Sequence, residues 1–459
     1  MNEKINALID SYRDEFIRTL QAWIRVPSVK GEPAEGAPFG EAIGRMMKLA
    51  TETGTEMGFQ VRDFDGYACD ITLGDQPEVI GVLGHLDVVP VGDGWLRDPF
   101  GGEIEDGKIY GRGSNDDKGP SLAALFAMKA LKEAGVPLKR SIRLILGGDE
   151  ECDWQCMEYY AAHAEMPEIG FSPDASFPLI NTEKGMLGFE LRFPQAAGGL
   201  RVLKMATGER MNVIAGESRA LLEGGETLAA RVRDYAKETG LPYEAETTEE
   251  GVWVTATGIP GHSAFPEGKR SAIGMMLKLL KALGAEGGIA TLAETVGLES
   301  DGKSLGCTCA DEISGALTNN MGILRLEDGE WKATLDFRCP VTADQEALIR
   351  SVRDHLPGIE VAVTTQKAPH HVPADSELVT KLLAAYEEES GLPGYAMAIG
   401  GGTYAKVLKQ GVAFGAVFPG EEELAHLANE NESIDSLMLA MKIYANALLR
   451  LAGETSGKE

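Results

Sequence analysis

The chain has 459 residues with 43 basic and 71 acidic side chains, which gives a formal net charge of −28. Such a chain is a poor partner for nucleic acid or anionic lipid, because both need a basic contact face. Hydrophobic residues make up 44%, which is ordinary for a globular protein and, at this length, favours two or three domains. The acidity indicates either general solubility or a cluster of carboxylates that holds metal.

The N-terminal segment carries acidic residues where a signal peptide needs an apolar run. No stretch of about 18 uncharged apolar residues occurs, so we expect no membrane span. The six cysteines are too few for a disulfide framework in a chain of this length. These features together predict a cytoplasmic, reduced protein.

Helical and strand patterns alternate in the first part of the chain. Apolar residues recur at helical spacing over residues 4–25. Short apolar runs at Val79–Leu83 and Ile142–Leu146 predict buried parallel strands. Between them, an Ala/Leu-rich helix is predicted over Pro120–Ala134, with glycine directly after its end. Strand, helix and strand in this order predict a right-handed βαβ unit in a mostly parallel sheet.

From about residue 185 the pattern changes to alternating strands separated by helices, which predicts an inserted α+β domain. The predicted strands are 188–194, 252–258 and a hairpin over 322–338, and the predicted helices are 227–238, 271–283 and 343–355.

After about residue 370 the chain returns to helix, to a buried strand over 413–418, and to a helix that runs to its end. We therefore predict an α/β protein whose first domain is discontinuous, comprising 1–184 and 370–459, with the inserted domain over 185–369. There is no low-complexity linker and no short-period repeat.

Histidines and carboxylates follow the ends of the predicted strands of the first domain. Ligands bind at the carboxyl ends of strands in open α/β sheets, so we expect these side chains to form one site. The residues are His85 and Asp87 after the first strand, Asp149, Glu150 and Glu151 after the second, Asp174 after a short strand near Gly170, and His426 after 413–418.

A further acidic pair, Asp116 and Asp117, lies directly before the predicted Pro120–Ala134 helix. Aspartate favours helix N-cap positions, and this interpretation is stronger for Asp117 than for Asp116. Asp116 is therefore the better candidate to join the site.

The motifs GHLDVVP, GRGSNDDKGP, GGDEE, SPDASFPLINTEKG and the late His426 resemble those of a known family. This family is the dinuclear zinc peptidases that include aminoacylase, acetylornithine deacetylase, succinyl-diaminopimelate desuccinylase and carnosinase. The strings DDKGP, WQCMEYY and IGGGTYAK are most similar to those of the bacterial PepV-type dipeptidases. The resemblance covers nearly the whole chain, with the motifs in order.

The resemblance implies a role for each of the acids and histidines. His85 and Asp174 would hold one metal ion, Glu151 and His426 the other, and Asp116 would bridge the two. Asp87 would orient His85 through its second ring nitrogen. Glu150 would act as general base and then as general acid, on a water that bridges the metals. The donor set suits two Zn²⁺ ions, with Mn²⁺ or Co²⁺ as substitutes.

The inserted domain would be a lid that closes over the metals. By resemblance, His262 stabilises the oxyanion, Arg338 pairs with the substrate carboxylate, and Asn212 lies near the same group. The loop at Gly401 would lie at the substrate end of the cleft. Two departures from the family pattern, GKRSA after His262 and an alanine at Ala215, weaken the Asn212 role and leave the side-chain pockets open.

The inserted domain is nearly twice the size of the lid in related dimeric enzymes, so we expect a monomer that closes on its own substrate. The leading hypothesis is a metal-dependent dipeptidase that acts on unsubstituted dipeptides. The alternatives are an N-acyl amino-acid deacylase of the same family and a catalytically idle binding protein of the same fold. Panels of dipeptide, tripeptide and N-acetyl substrates separate them.

Structural roles are predicted for the remaining polar residues and cysteines. We expect Asp93 and Asp98 in turns or solvent, and of the acids that follow the predicted strands we assign Asp149 there as well rather than to the site. His163 and His355 are expected on surface helices. His370 and His371 lie near the predicted return between domains, where either could face the cleft. Cys152 and Cys156 would share a helical face in the core, and Cys307 and Cys309 would be structural or loop thiols.

Overall fold

The computed structural model describes residues 1–454 of the chain. These residues form two compact units. The first comprises Met1–Asn181, Val372–Met397 and the residues from Gly402 onward, and the second comprises Thr182–His371 and Ala398–Gly401. The prediction of an α/β fold with an α+β insertion agrees with this arrangement of elements.

The first unit is built on seven α-helices among the described residues. They are Asn2–Ser11, Arg13–Ile24, Glu41–Glu56, Lys118–Ala134, Gln155–His163, Glu377–Ser390 and Ile434–Ala452, with a 3₁₀ turn at Tyr404–Val407. Its strands are Gln60–Phe64, Ala68–Leu73, Val79–His85, Glu103–Glu105, Lys108–Tyr110, Ser141–Gly147, Ile169–Ser172, Ala175–Ser176, Gln410–Ala413, Ala416–Val417 and Asn431–Ser433. Two further strands, Ile180–Glu183 and Met397–Ile399, cross the boundary between the units.

The main sheet of the first unit has a parallel centre with antiparallel strands at its edges. Val79–His85 lies between Ser141–Gly147 and Ile169–Ser172 and is parallel to both, and Gln410–Ala413 extends the parallel set. Ala68–Leu73 pairs antiparallel with Ser141–Gly147. Because the parallel strands point the same way, the residues that follow them meet at one edge of the sheet.

The central helix of the first unit, Lys118–Ala134, is buried along almost its whole length. It packs against the C-terminal helix Ile434–Ala452 and against the strand that ends at His85. Gly135 ends the helix in the left-handed conformation, with φ +72°, as predicted from the glycine at that position. The helix begins two residues before the predicted Pro120, so the segment that carries Asp116 and Asp117 leads directly into its first turn.

The second unit contains four α-helices among the described residues and an antiparallel sheet of eight strands. The helices are Glu226–Thr239, Ala272–Ala282, Gly288–Thr295 and Gln345–His355, with a 3₁₀ turn at Lys303–Leu305. The strands, in sheet order, are Tyr243–Thr248, Gly251–Thr257, Glu217–Leu222, Val202–Thr207, Thr318–Glu327, Glu330–Cys339, Gly185–Pro194 and Glu360–Lys367. Shorter strands are Val213–Ile214, Gly261–His262, Ala310–Asp311, Gly315–Ala316 and His370–His371.

The predicted hairpin over 322–338 forms from Thr318–Glu327 and Glu330–Cys339. Asp328 and Gly329 connect the strands, with φ of +51° and +83°. Positive φ at both central residues is the geometry of a type I′ turn, whose twist matches that of the paired strands. The Asp-Gly pair in the sequence therefore marks this turn correctly.

Three predicted elements differ from the structure in their bounds. The N-terminal helix is two helices that meet at Tyr12, because the Tyr12 N–H bonds to the Ile9 carbonyl and tightens the turn. The predicted strand over 413–418 is interrupted at Phe414 and Gly415, and its two parts pair with different strands. The C-terminal helix ends at Ala452, and residues 455–459 lie outside the described part of the chain.

Candidate metal centre

One group of possible metal-binding side chains lies at the end of the central strand. His85 is the last residue of Val79–His85, and its Nε2 atom lies 2.9 Å from Asp116 Oδ1 and 3.6 Å from Asp174 Oδ2. The imidazole is fully buried. The three side chains come from a strand, a loop before a helix, and a loop after the strand Ile169–Ser172, and they offer one nitrogen and two oxygen donors.

A second group shares Asp116 with the first. His426 Nε2 lies 3.0 Å from Asp116 Oδ2 and 2.8 Å from Glu151 Oε1. The two carboxylate oxygens of Asp116 therefore face different histidines, one in each group. A single carboxylate placed in this way can bridge two cations.

Asp87 contacts His85 through its main chain more closely than through its side chain. His85 Nδ1 lies 2.9 Å from the Asp87 carbonyl oxygen and 3.5 Å from its carboxylate. An Nδ1–H that donates to this carbonyl leaves the lone pair of Nε2 free for a metal ion. The Asp87 carboxylate instead accepts the backbone N–H groups of Glu150 and Glu151, at 3.0 and 3.1 Å.

Asp117 occupies the N-cap position of the Lys118–Ala134 helix, but its side chain does not cap the helix backbone. Its carboxylate accepts the backbone N–H of His85 at 3.1 Å and the hydroxyl of Ser121 at 2.7 Å. Asp117 therefore stands at the predicted N-cap position, but the prediction that its side chain caps the helix is wrong. Asp117 connects the central helix to the residue that carries the first imidazole.

The centre favours positive charge. Burial alone would lower the pKa of His426, but its contacts with Asp116 and Glu151 raise that pKa to about 10. In the same way, Asp116, Asp174 and Asp87 raise the pKa of His85 well above its ordinary value despite burial. The carboxylates around these imidazoles stabilise the protonated, positively charged form of each ring.

The surrounding acids are crowded. Burial and the charge of Asp116 raise the pKa of Glu151 to about 7, and the same two causes raise the pKa of Asp174. Burial and the neighbouring carboxylates raise the pKa of Glu150 well above its ordinary value. Among residues 1–454, no lysine or arginine forms an ion pair with these three acids. Their mutual repulsion is the kind that bound cations relieve.

The donor set fits a pair of divalent metal ions. The Nε2 atom of His85 is buried and makes no hydrogen bond of acceptable geometry among the described residues, so no hydrogen bond occupies the direction in which a metal ion would bind. Two imidazole nitrogens and three carboxylates, with no thiolate among them, match the ligands that zinc takes in catalytic sites. The residues present are therefore compatible with the predicted metals.

In the second unit, His262 and Asn212 lie together. The short strand Gly261–His262 pairs with Val213–Ile214, directly after Asn212. The Asn212 side-chain nitrogen lies 3.4 Å from His262 Nε2, and the Ala264 N–H donates to His262 Nδ1 at 3.1 Å. Both side chains are predicted substrate-contacting residues, and their pairing follows from the strand register.

Arg338 and the glycine loop are also neighbours in the second unit. The buried Arg338 side chain donates from Nε to Asp336 at 2.9 Å and from Nη1 to the Gly400 carbonyl at 2.8 Å. Gly401 follows directly in the chain. A Cβ atom at Gly400 would lie 2.5 Å from the Cβ of Ala264, so this loop and the His262 segment approach closely. The four predicted residues of the second unit thus form one local group.

Two structural predictions are wrong. Asp149 is fully buried rather than in solvent, and its carboxylate pairs with Lys30 at 2.6 Å and accepts the Gln155 N–H. Cys152 and Cys156 do not share a helical face, because the helix begins only at Gln155. Cys152 is exposed in the preceding turn, whereas Cys156 packs in the core.

Other predicted residues lie largely where expected. Asp98 is in a turn, where it accepts the Phe100 N–H, and Asp93 is exposed. His163 and His355 are exposed near helix ends, and His371 contacts the Thr182 hydroxyl at 2.8 Å. The free thiols of Cys307 and Cys309 are buried and half-buried, respectively.

Sequence reasoning missed Glu430, a fully buried acid whose carboxylate accepts several backbone N–H groups of the loop that carries Asp116. Its partners lie more than 300 positions away in the chain. Its position four residues after His426 is the one local signal, and that signal does not separate it from exposed acids such as Glu422.

The fold and the paired donor groups are those of a metal-dependent hydrolase. The chain belongs to peptidase family M20/M25/M40, whose family model matches residues 81–450. The predicted family and its peptidase function are therefore confirmed, and the α/β fold with a lid domain is confirmed by the solved structures described below.

Two bacterial relatives align over almost the whole chain. The protein YtjP of Bacillus subtilis (strain 168) is 37% identical over 453 residues, covering 96% of this chain and 98% of the relative. The Beta-Ala-Xaa dipeptidase of Lactobacillus delbrueckii subsp. lactis is 34% identical over 465 residues, covering 98% and 99%. The second of these relatives is a dipeptidase by its name.

Human carnosine dipeptidase 1 is similar in structure, with a TM-score of 0.62, 18% sequence identity and 98% coverage of both chains. The dipeptidase Dug1p of Saccharomyces cerevisiae gives a TM-score of 0.61 at 15% identity, also with 98% coverage of both. At this level of identity the likeness concerns the fold. Within residues 1–454, no helix combines the length and apolar character that a membrane span requires.

Proposed function

We propose that this chain is a dizinc dipeptidase that releases the N-terminal residue of unsubstituted dipeptides. The observation that carries the proposal is the pair of donor groups that share Asp116, with Glu150 in the same cluster. One ion would be held by His85, Asp116 and Asp174. The other would be held by Asp116, Glu151 and His426.

The relatives support a dipeptide substrate. A relative named Beta-Ala-Xaa dipeptidase is 34% identical to this chain over nearly its full length. Its name motivates the inclusion of β-alanyl dipeptides among the substrates to be tested. The alternative of N-acyl amino-acid hydrolysis uses the same chemistry and differs in whether the substrate has a free amine.

Bound divalent ions would polarise the scissile carbonyl and make water a stronger nucleophile at neutral pH. Glu150, whose pKa is raised by burial and the neighbouring carboxylates, would take a proton from the attacking water and return it to the leaving nitrogen. A carboxyl group that exchanges a proton in both directions works best when its pKa is near the operating pH.

Asp87 would support this proton transfer by fixing the backbone of Glu150, the proposed base. Its carboxylate accepts the N–H groups of Glu150 and Glu151, so one side chain fixes both the base and a metal ligand. Its carbonyl group fixes the ring of His85. We therefore infer that Asp87 acts in catalysis by positioning its neighbours.

The residues of the second unit retain the roles that the family resemblance predicts. His262 would stabilise the oxyanion, and Arg338 would bind the substrate carboxylate with the part of its guanidinium that Asp336 and Gly400 leave available. Asn212 and Gly401 would contact the same end of the substrate. Each of these roles is a prediction that substitution can test.

We further propose that the protein is a monomer, because the inserted domain is large enough to supply its own lid residues. Light scattering of the purified protein would give the mass of one chain if this is correct. A stable dimer in solution would contradict it. We propose a cytoplasmic location on the separate ground that the six cysteines are too few for a disulfide framework.

A substrate panel tests the proposed activity. Zinc-loaded protein should hydrolyse α- and β-alanyl dipeptides, and it should turn over tripeptides and N-acetyl amino acids at least tenfold more slowly. Preference for N-acetyl amino acids would favour the deacylase, and no turnover of any amide would favour the binding protein. A mock purification from cells that do not express the chain controls for contaminating peptidases, since its rate gives their contribution.

A further inference from the structure

A buried carboxylate outside the predicted ligand set contacts the loop that carries Asp116. Glu430 is fully buried and lies four residues after His426, directly before the short strand Asn431–Ser433. That strand pairs with Lys108–Tyr110, which leads into the loop. The chain therefore brings the segment that follows one imidazole against the segment that precedes the shared carboxylate.

The Glu430 carboxylate accepts three backbone N–H groups of this loop through a single oxygen. Its Oε1 atom lies 2.9 Å from the nitrogen of Gly113, 3.1 Å from that of Asn115 and 3.3 Å from that of Asp116. Converging backbone N–H groups form a concave anion-binding site, which here is filled by a side chain of the same protein.

The second oxygen of Glu430 pairs with Arg112, whose side chain is also buried. The main chain of Glu430 takes part too, because the Gly111 N–H donates to its carbonyl at 2.9 Å. Every one of these contacts goes to the segment from Gly111 to Asp116. Both carboxylate oxygens are occupied by donors, so Glu430 has no oxygen directed at a metal ion.

We propose that Glu430 is a positioning residue that sets the backbone of the Asp116 loop so that this carboxylate can bridge the two metal ions. The contact with the Asp116 N–H restrains the very residue whose oxygens face His85 and His426 at 2.9 and 3.0 Å. A shift of the loop would move both oxygens together. This inference rests on the proposed metal centre.

A buried ion pair that only stabilises the fold would produce the same contacts, so the test must separate metal binding from folding. Glu432 provides a matched control. It is also buried and lies in the strand that directly follows Glu430, but it accepts the side chain of Asn115 rather than the loop backbone. Glu432→Gln therefore removes a buried carboxylate charge without releasing the Asp116 main chain, and it leaves the buried Arg112 paired with Glu430.

The experiment measures Zn²⁺ affinity of the metal-free chain by competition with a chromophoric chelator, together with thermal unfolding of the same sample. Replacing residues that support metal ligands typically lowers metal affinity by about 10–100-fold. We expect such a loss for Glu430→Gln and wild-type affinity for Glu432→Gln. The metal-free unfolding midpoint of Glu430→Gln should be the lower of the two, because its buried Arg112 loses its charged partner. Glu430→Asp, which keeps the charge but is one methylene shorter, should recover part of the affinity.

Kinetics give a second readout. At saturating zinc, Glu430→Gln should lower kcat with little change in KM, because the substrate-contacting side chains are retained. Wild-type zinc affinity and kcat in folded Glu430→Gln would overturn the proposal. If Glu430→Gln does not fold, wild-type affinity in Glu430→Asp would overturn it equally. A wild-type chain that binds zinc but cleaves no dipeptide would instead contradict the proposed function and leave the positioning role standing.

Discussion

Two groups of buried acids in the first unit differ in what neutralises them. Asp70 lies in the strand Ala68–Leu73, where Arg62 donates to it from two nitrogens and Tyr160 donates its hydroxyl at 2.8 Å. The acids of the metal centre face only the imidazoles of His85 and His426 as cationic partners among the described residues.

The contrast between the two groups shows that burial of an acid does not by itself mark a functional site. A buried carboxylate with an arginine and a hydroxyl is satisfied by the protein and serves the fold. Several carboxylates that crowd one another without such partners have raised pKa values and would be stabilised as anions by a bound cation.

The largest effect is expected at the base. Glu150→Gln removes the proton acceptor, so kcat should fall by about 10²–10⁴-fold, the usual contribution of general acid–base catalysis. Bound zinc should remain, because Glu150 is not in either donor group. Steady-state kinetics and metal analysis on one preparation measure both quantities. Asp149→Asn, which alters the adjacent acid paired with Lys30, is the control and should keep most of the activity. Retained turnover in Glu150→Gln would show that the base is misassigned.

Replacing the paired acid should affect folding instead of metal binding. Asp70→Asn weakens hydrogen bonds between charged groups, so the free energy of unfolding should fall by about 1.5–3 kcal/mol. Zinc content and kcat should be unchanged. Asp174→Asn should show the reverse, with loss of one zinc ion and little loss of metal-free stability. Chemical denaturation gives the free energy of unfolding of both variants, and metal analysis gives their zinc content. Loss of zinc from Asp70→Asn would contradict the distinction between the two groups of acids.

A smaller effect is expected at Arg338, which is partly neutralised by Asp336. Arg338→Lys removes the planar fork but keeps the charge, so KM for dipeptides should rise by about tenfold, equivalent to about 1.4 kcal/mol. Initial-rate kinetics over a range of dipeptide concentrations measure it. Arg325→Lys, in the neighbouring strand of the same sheet, is the matched control. An unchanged KM in Arg338→Lys would remove this residue from carboxylate binding.

Local patterns in the sequence predict most of the fold. The apolar runs at Val79–Leu83 and Ile142–Leu146 and the Asp-Gly turn at Asp328 all correspond to structure. Short-range signals of this kind depend on side-chain periodicity and backbone preferences, which act over a few residues. The division of the N-terminal helix at Tyr12 has no such signal, since the apolar spacing continues through it.

The candidate site was predictable to the extent that its residues follow strand ends. His85 ends one strand, and Glu151 and Asp174 follow two others, so the topology of the sheet brings the three together. The contacts of Asp117 and Glu430 were not predictable, because they depend on how distant segments pack. The buried ion pair of Asp149 could not be predicted for the same reason, because its partner Lys30 lies 119 residues away in the chain.

The shared position of Asp116 is the central feature of the proposed metal centre, and metal stoichiometry tests it most directly. The purified chain, loaded with Zn²⁺ and dialysed against metal-free buffer, should retain two ions, as measured by inductively coupled plasma mass spectrometry. Asp116→Asn should lose affinity for both ions together, whereas Asp174→Asn should lose one. A wild-type chain that retains a single ion or none, or an Asp116→Asn chain that retains two, would contradict the account.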